Sequence, residues 1–191
     1  IIEEISLGKI KGLYVQGENP AMSDPDQIHS RKALAKLEHL VVQDIFMTET
    51  AWNADVILPA SAHAEKTGTY TNTNRQVQIG RAVVESPKEV RQDWWIIQEI
   101  AKKMGLDWDY KSPKDIFDEM KLVMPSLNNI SWERLEKDNH VTYPVKSELI
   151  PGEDIIFTDG FPTPNKLAKI IPVNLIEPND QLNSDFPLIL S

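Results

Sequence analysis

Several residues along the chain could hold an anion or read hydrogen-bond donors, and they sit where short apolar runs end. Gly17-Glu18-Asn19-Pro20 follows Leu13-Tyr14-Val15, and Gln43-Asp44 closes Leu40-Val41-Val42. A glycine lets backbone approach a phosphate closely, and exposed amides beside it can form an anion nest. A carboxylate is acceptor-only and takes two parallel hydrogen bonds, matching the two donors along the N1–H and N2–H₂ edge of guanine. The same residues also have a plain reading, in which Gly17 and Pro20 make a turn and Asp44 caps a helix near Met47. Lys66 lies between Glu65 and Thr67-Gly68 in a loop, where a single lysine is usually solvated surface. Thr71-Asn72-Thr73-Asn74-Arg75 gathers hydrogen-bonding side chains around one arginine. That grouping suits a phosphate-bearing ligand or, equally, an Asx-rich turn.

Other chemistries find no support. No G-x-G-x-x-G is present, so the dinucleotide fingerprint of nicotinamide enzymes is missing. The four histidines (His29, His39, His63 and His140) are scattered without metal-ligand spacing, and no serine stands in a nucleophile elbow. Cysteine is absent, which excludes disulfides, thiolate zinc sites and cysteine-ligated clusters within this segment. A net charge of −9 argues against binding nucleic acid or a membrane surface. An anionic ligand here must therefore be held by a few placed groups.

The elements that must carry these residues alternate. A buried strand is expected over 12–15, then a helix capped by Asp24 or Asp26 with Ile28, Ala33, Leu34 and Leu37 on one face. A second buried strand follows over 40–44, a short helix over 48–53 and a third strand over 56–59. This alternation predicts an α/β fold, a Rossmann-like parallel sheet with flanking helices, and in such sheets ligands settle at the carboxyl ends of the strands. Residues 68–72 and 76–79 read as a hairpin. Helices are expected over 93–104, with Trp94, Ile97 and Ala101 inward and Gly105 as terminator, and over 113–124, with Ser112 as N-cap. Beyond Pro125 the pattern weakens to irregular structure with one short helix over 132–137. A loop and strand are expected over 160–173, and a buried strand at 186–191. The hydrophobic share of 41% and charged share of 26% are those of a soluble globular protein. No apolar run is long enough to span a membrane. Neither terminus reads as a natural end, so the chain is expected to be an internal piece of a longer polypeptide.

Taken in order, the motifs are familiar. Gly17-Glu18-Asn19-Pro20, Val41-Val42-Gln43-Asp44-Ile45-Phe46, Thr48-Glu49-Thr50-Ala51, Ala54-Asp55-Val56-Ile57-Leu58-Pro59 and Glu65-Lys66-Thr67-Gly68-Thr69-Tyr70-Thr71-Asn72 resemble the prokaryotic bis-molybdopterin guanine dinucleotide oxidoreductases. Asp93-Trp94-Trp95 and Phe161-Pro162-Thr163-Pro164-Asn165 continue the likeness. The combination is most similar to formate dehydrogenase large subunits. That family usually follows Thr-Asn with an acidic residue and two arginines, whereas Asn74-Arg75-Gln76 keeps one arginine.

The resemblance implies roles for particular residues. Glu18 and Asn19 match a loop touching the guanosine half of one cofactor, and Gln43 and Asp44 a strand-end pair reading its guanine or ribose. Thr48 matches a position near the same nucleotide, Lys66 a loop lysine near the cofactor, and Asp93 a cofactor-contacting carboxylate. No catalytic or metal-ligating residue is implied within this segment. The implied cofactor is molybdopterin guanine dinucleotide carrying molybdenum or tungsten, with iron–sulfur clusters elsewhere in the polypeptide. The implied reaction is formate oxidation to CO₂. Two alternatives stay open: a scaffold related to the large subunit of an NADH:quinone oxidoreductase, and another reductase such as one for nitrate. Residues 1–125 are expected to form the α/β cofactor-binding domain, in part, and 126–191 a connector running up to a C-terminal β-barrel domain. Expected partners are the remaining domains of the same polypeptide and electron-transfer subunits or an NAD-reducing partner. No nucleic acid or membrane contact is expected, and the expected location is the prokaryotic cytoplasm, with the periplasm as the alternative.

Overall fold

The computed structural model of the chain describes residues 1–175 and 181–188. Helix α1 (Ile2–Ser6) leads into strand β1 (Gly12–Gln16), followed by α2 (Pro20–Ser23) and α3 (Gln27–Leu34). Pro20 opens α2, where its fixed φ suits the first turn and no N–H is missed. Asp26 is the cap of α3, accepting from the His29 amide at 3.0 Å. Strand β2 (His39–Asp44) runs parallel to β1 with Val42 opposite Val15, and β3 (Val56–Pro59) runs parallel to β2 with Ile57 opposite Val42. The expected three-strand parallel sheet is present, in the order β1-β2-β3, and the architecture is α/β. Being central, β2 is covered on both faces: Leu40, Val42 and Gln43 are at most 1% exposed. With Val15 and Ala51 its apolar residues form a small core.

A second sheet is antiparallel. Strands β4 (Gly68–Thr71) and β5 (Gln76–Gly80) make the expected hairpin, with Thr71 opposite Val77. Then come α4 (Asp93–Lys103), α5 (Pro113–Val123), α6 (Trp132–Asp138) and β6 (His140–Thr142), which pairs with β5. Gly105, at φ +87°, ends α4 as expected, donating to the Lys102 carbonyl while Leu106 donates to that of Ala101. At α5, Ser112 and Asp115 cap each other's amides in a capping box behind Pro113. Val77, Phe117, Leu127, Ile130, Trp132, Leu135, Val141 and Val145 form a second, larger core. Ile1–Glu153 is one compact unit and Asp154–Ser191 another.

Several local expectations need correction. The first strand is an edge rather than a buried strand: Tyr14 is 40% exposed and only Val15 on it is buried. Ile28 faces solvent, and α3 buries Ser30, Ala33 and Leu34 instead. On α4 the inward face is Ile96, Gln98 and Ala101, because the Gln98 amide pairs with both backbone groups of Tyr110, at 2.6 and 3.2 Å. A polar residue thus takes a core position that apolar periodicity alone assigns to Ile97. The helix expected over 48–53 shrinks to a 3₁₀ turn, Ala51–Asn53, since the Asn19 side chain claims the Thr50 amide at 3.1 Å. Residues 125–150 are not irregular apart from one helix; they also supply β6 and six of the eight residues of the second core. Within Asp154–Ser191 no strand forms at 160–173, where Ile170 and Val173 stay exposed without a pairing neighbour. Phe186 and Leu188 are likewise exposed, and the remainder of the strand expected at 186–191 lies outside the described residues.

Candidate functional site

A cavity of about 520 Å³ opens where the parallel sheet ends. Strand ends collect there because successive parallel strands deliver their following loops to one edge. All eight residues singled out from the sequence line it: Gly17, Glu18 and Asn19 after β1, Gln43, Asp44 and Thr48 at and after β2, Lys66 before β4, and Asp93 at the start of α4. Their polar atoms are engaged very differently.

Gly17 adopts φ +62°, a left-handed conformation that favours glycine, and its amide donates to the Gln43 carbonyl at 2.8 Å. That bond joins the first loop to the second strand, so the Gly17 amide is not free to make the anion nest. Glu18 stands exposed at the rim. Asn19 is a latch: its carbonyl accepts from the Thr50 amide at 3.1 Å and hydroxyl at 2.8 Å, while its amide donates to Glu49 at 2.7 Å. The Thr50 hydroxyl in turn accepts from the Ala21 amide at 3.1 Å, which ties the two loops together. Thr48 also serves the protein, accepting from the Ala51 amide at 3.2 Å.

Asp44 differs. Its Oδ1 accepts from the Ile45 and Phe46 amides at 2.7 and 3.2 Å, an Asx-type turn rather than the cap of a helix near Met47. Its Oδ2 has no protein partner among the described residues and is open to a ligand.

Gln43, which is buried, and Lys66 and Asp93, which are partly buried, form one hydrogen-bonded set. The Gln43 Nε2 donates to Asp93 Oδ1 at 2.7 Å, the Lys66 ammonium to Asp93 Oδ2, and the Tyr14 hydroxyl to Gln43 Oε1. Burial works to raise the Asp93 pKa, but hydrogen bonds from Lys66 and Gln43, with the lysine charge, outweigh it and hold the carboxyl below its ordinary value. The Tyr14 phenol is pushed up, first by burial and then by the negative charge of Asp93. With Lys66 neutralised by Asp93, Glu18 and Asp44 leave the cavity net negative. Its chemistry is that of an acceptor-rich wall suited to a donor-rich ligand edge, and ill suited to a diphosphate.

Sequence reasoning passed over four residues of this region. Ser61 is fully buried in the cavity wall, and its hydroxyl has no hydrogen-bond partner. It follows the third strand, so the strand-end rule applied to the first two strands reaches it too. His63 and Tyr70 pair edge-on across 4.6 Å and both line the cavity, while Phe46 stands largely exposed at its mouth. The hydrogen bonders at 71–75 lie elsewhere and resolve as the hairpin turn, with Arg75 donating to the Tyr143 carbonyl. Among the described residues, no group of three or more His, Asp or Glu is placed to hold a metal, and no helix is long and apolar enough to cross a membrane.

Comparison with known proteins matches residues 1–103 to the family model described as molybdopterin oxidoreductase. The chain is 46% identical over 184 residues to the F420-dependent formate dehydrogenase subunit alpha of Methanocaldococcus jannaschii, covering 95% of this chain and 27% of that protein. It is 42% identical over 185 residues to the F420-dependent formate dehydrogenase 2 subunit alpha of Methanococcus maripaludis, covering 96% of this chain and again 27% of that one. The chain therefore spans about a quarter of the length of these relatives. In fold it is similar to acetylene hydratase from Pelobacter acetylenicus, with a TM-score of 0.61 and 24% identity over 76% of this chain and 20% of the other. With the family model covering more than half its length, the chain belongs to the molybdopterin oxidoreductase family.

Proposed function

We propose that the chain is a segment of the catalytic subunit of a molybdenum or tungsten formate dehydrogenase, and that its cavity takes the guanosine end of a molybdopterin guanine dinucleotide. The observation that carries the reading is Asp44 Oδ2, a carboxylate oxygen without a protein partner at the carboxyl end of the central strand. Guanine offers it two donors on one edge. The remaining donors of Lys66 can serve the ribose. The residues present thus fit the nucleoside, while the pterin and diphosphate need groups from outside this cavity. A scaffold without a cofactor would have no use for a carboxylate oxygen left unpaired at the cavity wall.

When bound, such a cofactor supplies the metal that takes up the electron pair as formate becomes CO₂ and a proton. This chain's residues anchor and orient its nucleotide end. Iron–sulfur clusters elsewhere in the polypeptide and electron-transfer subunits would carry the electrons onward. The relatives named as formate dehydrogenases motivate the substrate. The complete subunit should release guanosine monophosphate on acid hydrolysis and reduce an artificial dye with formate, and the 191-residue chain alone should do neither. A complete subunit that carries no guanine nucleotide would overturn the reading, and one that reduces nitrate but ignores formate would overturn the substrate.

A further inference from the structure

We propose that Tyr14 and Gln43 are positioning residues for Lys66, forming with Asp93 a relay that fixes the lysine ammonium at the cavity wall. This rests on the reading of the cavity as a nucleotide site. The four side chains come from four places in the fold: β1, β2, the loop before β4 and the first residue of α4.

Donor and acceptor logic allows the relay one direction only. The Asp93 carboxylate is an acceptor alone, and both its oxygens are taken, Oδ1 by Gln43 and Oδ2 by Lys66. The Gln43 amide must therefore turn its NH₂ toward Asp93 and its carbonyl away. That carbonyl can only accept, and the group facing it is the Tyr14 hydroxyl, which must donate. Gln43 is wholly buried, so each end of its amide needs a partner inside the protein. The raised pKa of Tyr14 keeps its hydroxyl protonated, as a donor.

A lysine is a flexible stem that loses much rotamer freedom when held. The relay supplies the holding, and Lys66 is left about a quarter exposed with two of its three donors unused. Because its charge is balanced by Asp93, it offers donors without net charge. The group it suits is a neutral acceptor such as a ribose hydroxyl or a ring carbonyl. Gln43 and Asp93, which the family resemblance assigns to the cofactor, act on this view through Lys66.

A double-mutant cycle on the complete cofactor-loaded subunit tests this, reading the rate at which guanine nucleotide is lost on dilution. Lys66→Met should speed release about tenfold, the loss of one hydrogen bond to a charged group. Tyr14→Phe keeps the ring and removes only the hydroxyl, and should speed release about threefold, the loss of one hydrogen bond between neutral groups. In the Lys66→Met background Tyr14→Phe should add nothing, because the residue it positions is gone. Equal effects of Tyr14→Phe in both backgrounds, or none in either, would overturn the relay while leaving the nucleotide reading intact. No effect of Lys66→Met would likewise overturn the relay, whereas a complete subunit that carries no guanine nucleotide would overturn the nucleotide reading. Should Tyr14→Phe not accumulate as folded protein, Gln43→Met runs the same cycle.

Discussion

Replacing Asp44 by Asn separates the two jobs its carboxylate can do. Oδ1 already holds the turn by accepting from the Ile45 and Phe46 amides, and asparagine makes the same Asx turn with its carbonyl. The fold should therefore be indifferent, within about 0.5 kcal/mol, or about 1–2 °C in melting temperature for a chain of this size. Oδ2, by contrast, becomes an NH₂ facing the donors of guanine. Leaving such groups unpaired costs about 1–3 kcal/mol, roughly a ten- to hundredfold loss of affinity. Asp44→Ala should lose both turn and ligand. Retained guanine nucleotide per polypeptide, measured on the complete subunit, and melting of the 191-residue chain give the two readouts. A lowered melting point with full nucleotide retention would refute the reasoning. A phosphate in this cavity predicts a third outcome, because removing a negative charge would then tighten binding.

The remaining predictions concern the loops and the ion pair. Asn19→Ala strands the buried Thr50 amide and hydroxyl and should cost about 1–3 kcal/mol in a urea titration, whether or not nucleotide is bound. Asp93 titrates below its ordinary value of 3.8, so its contribution is fully present above that pH and is lost as pH falls through the lower, folded value. Lys66→Met should flatten that acid limb of the stability profile, and an unchanged limb would mean the lysine does not hold the carboxyl down. Gly105→Ala places a side chain at φ +87°, and should destabilise α4 by about 1–2 kcal/mol, visible in thermal melting of the chain.

Much of this architecture was legible because it rests on local signals. Apolar runs ending in polar pairs gave the three parallel strands, Ser112-Pro113 gave the start of α5, and Gly105 the end of α4. The strand-end rule pointed to Gly17, Glu18, Asn19, Gln43 and Asp44, the family resemblance added Thr48, Lys66 and Asp93, and all eight line one cavity. What escaped the sequence depends on partners far along the chain. Nothing near Asn19 reveals that its side chain closes on Thr50, thirty-one residues away, or that Gly17 is bonded to Gln43. The polar Gln98 turned the inward face of α4 because Tyr110 meets it, which periodicity does not encode. Strand β6 is three residues long and exists because β5 offers it an edge. The strand expected at 160–173 had apolar residues but, among the described residues, no such edge within its own unit.

The central claim is that the guanosine end of the cofactor lies against Asp44, and a structure of the complete cofactor-loaded subunit measures it directly. Guanine N1 or N2 should lie within about 2.7–3.2 Å of Asp44 Oδ2. The ribose should lie on the side of Lys66. A guanine placed elsewhere, or a diphosphate occupying this cavity beside Lys66, would contradict it.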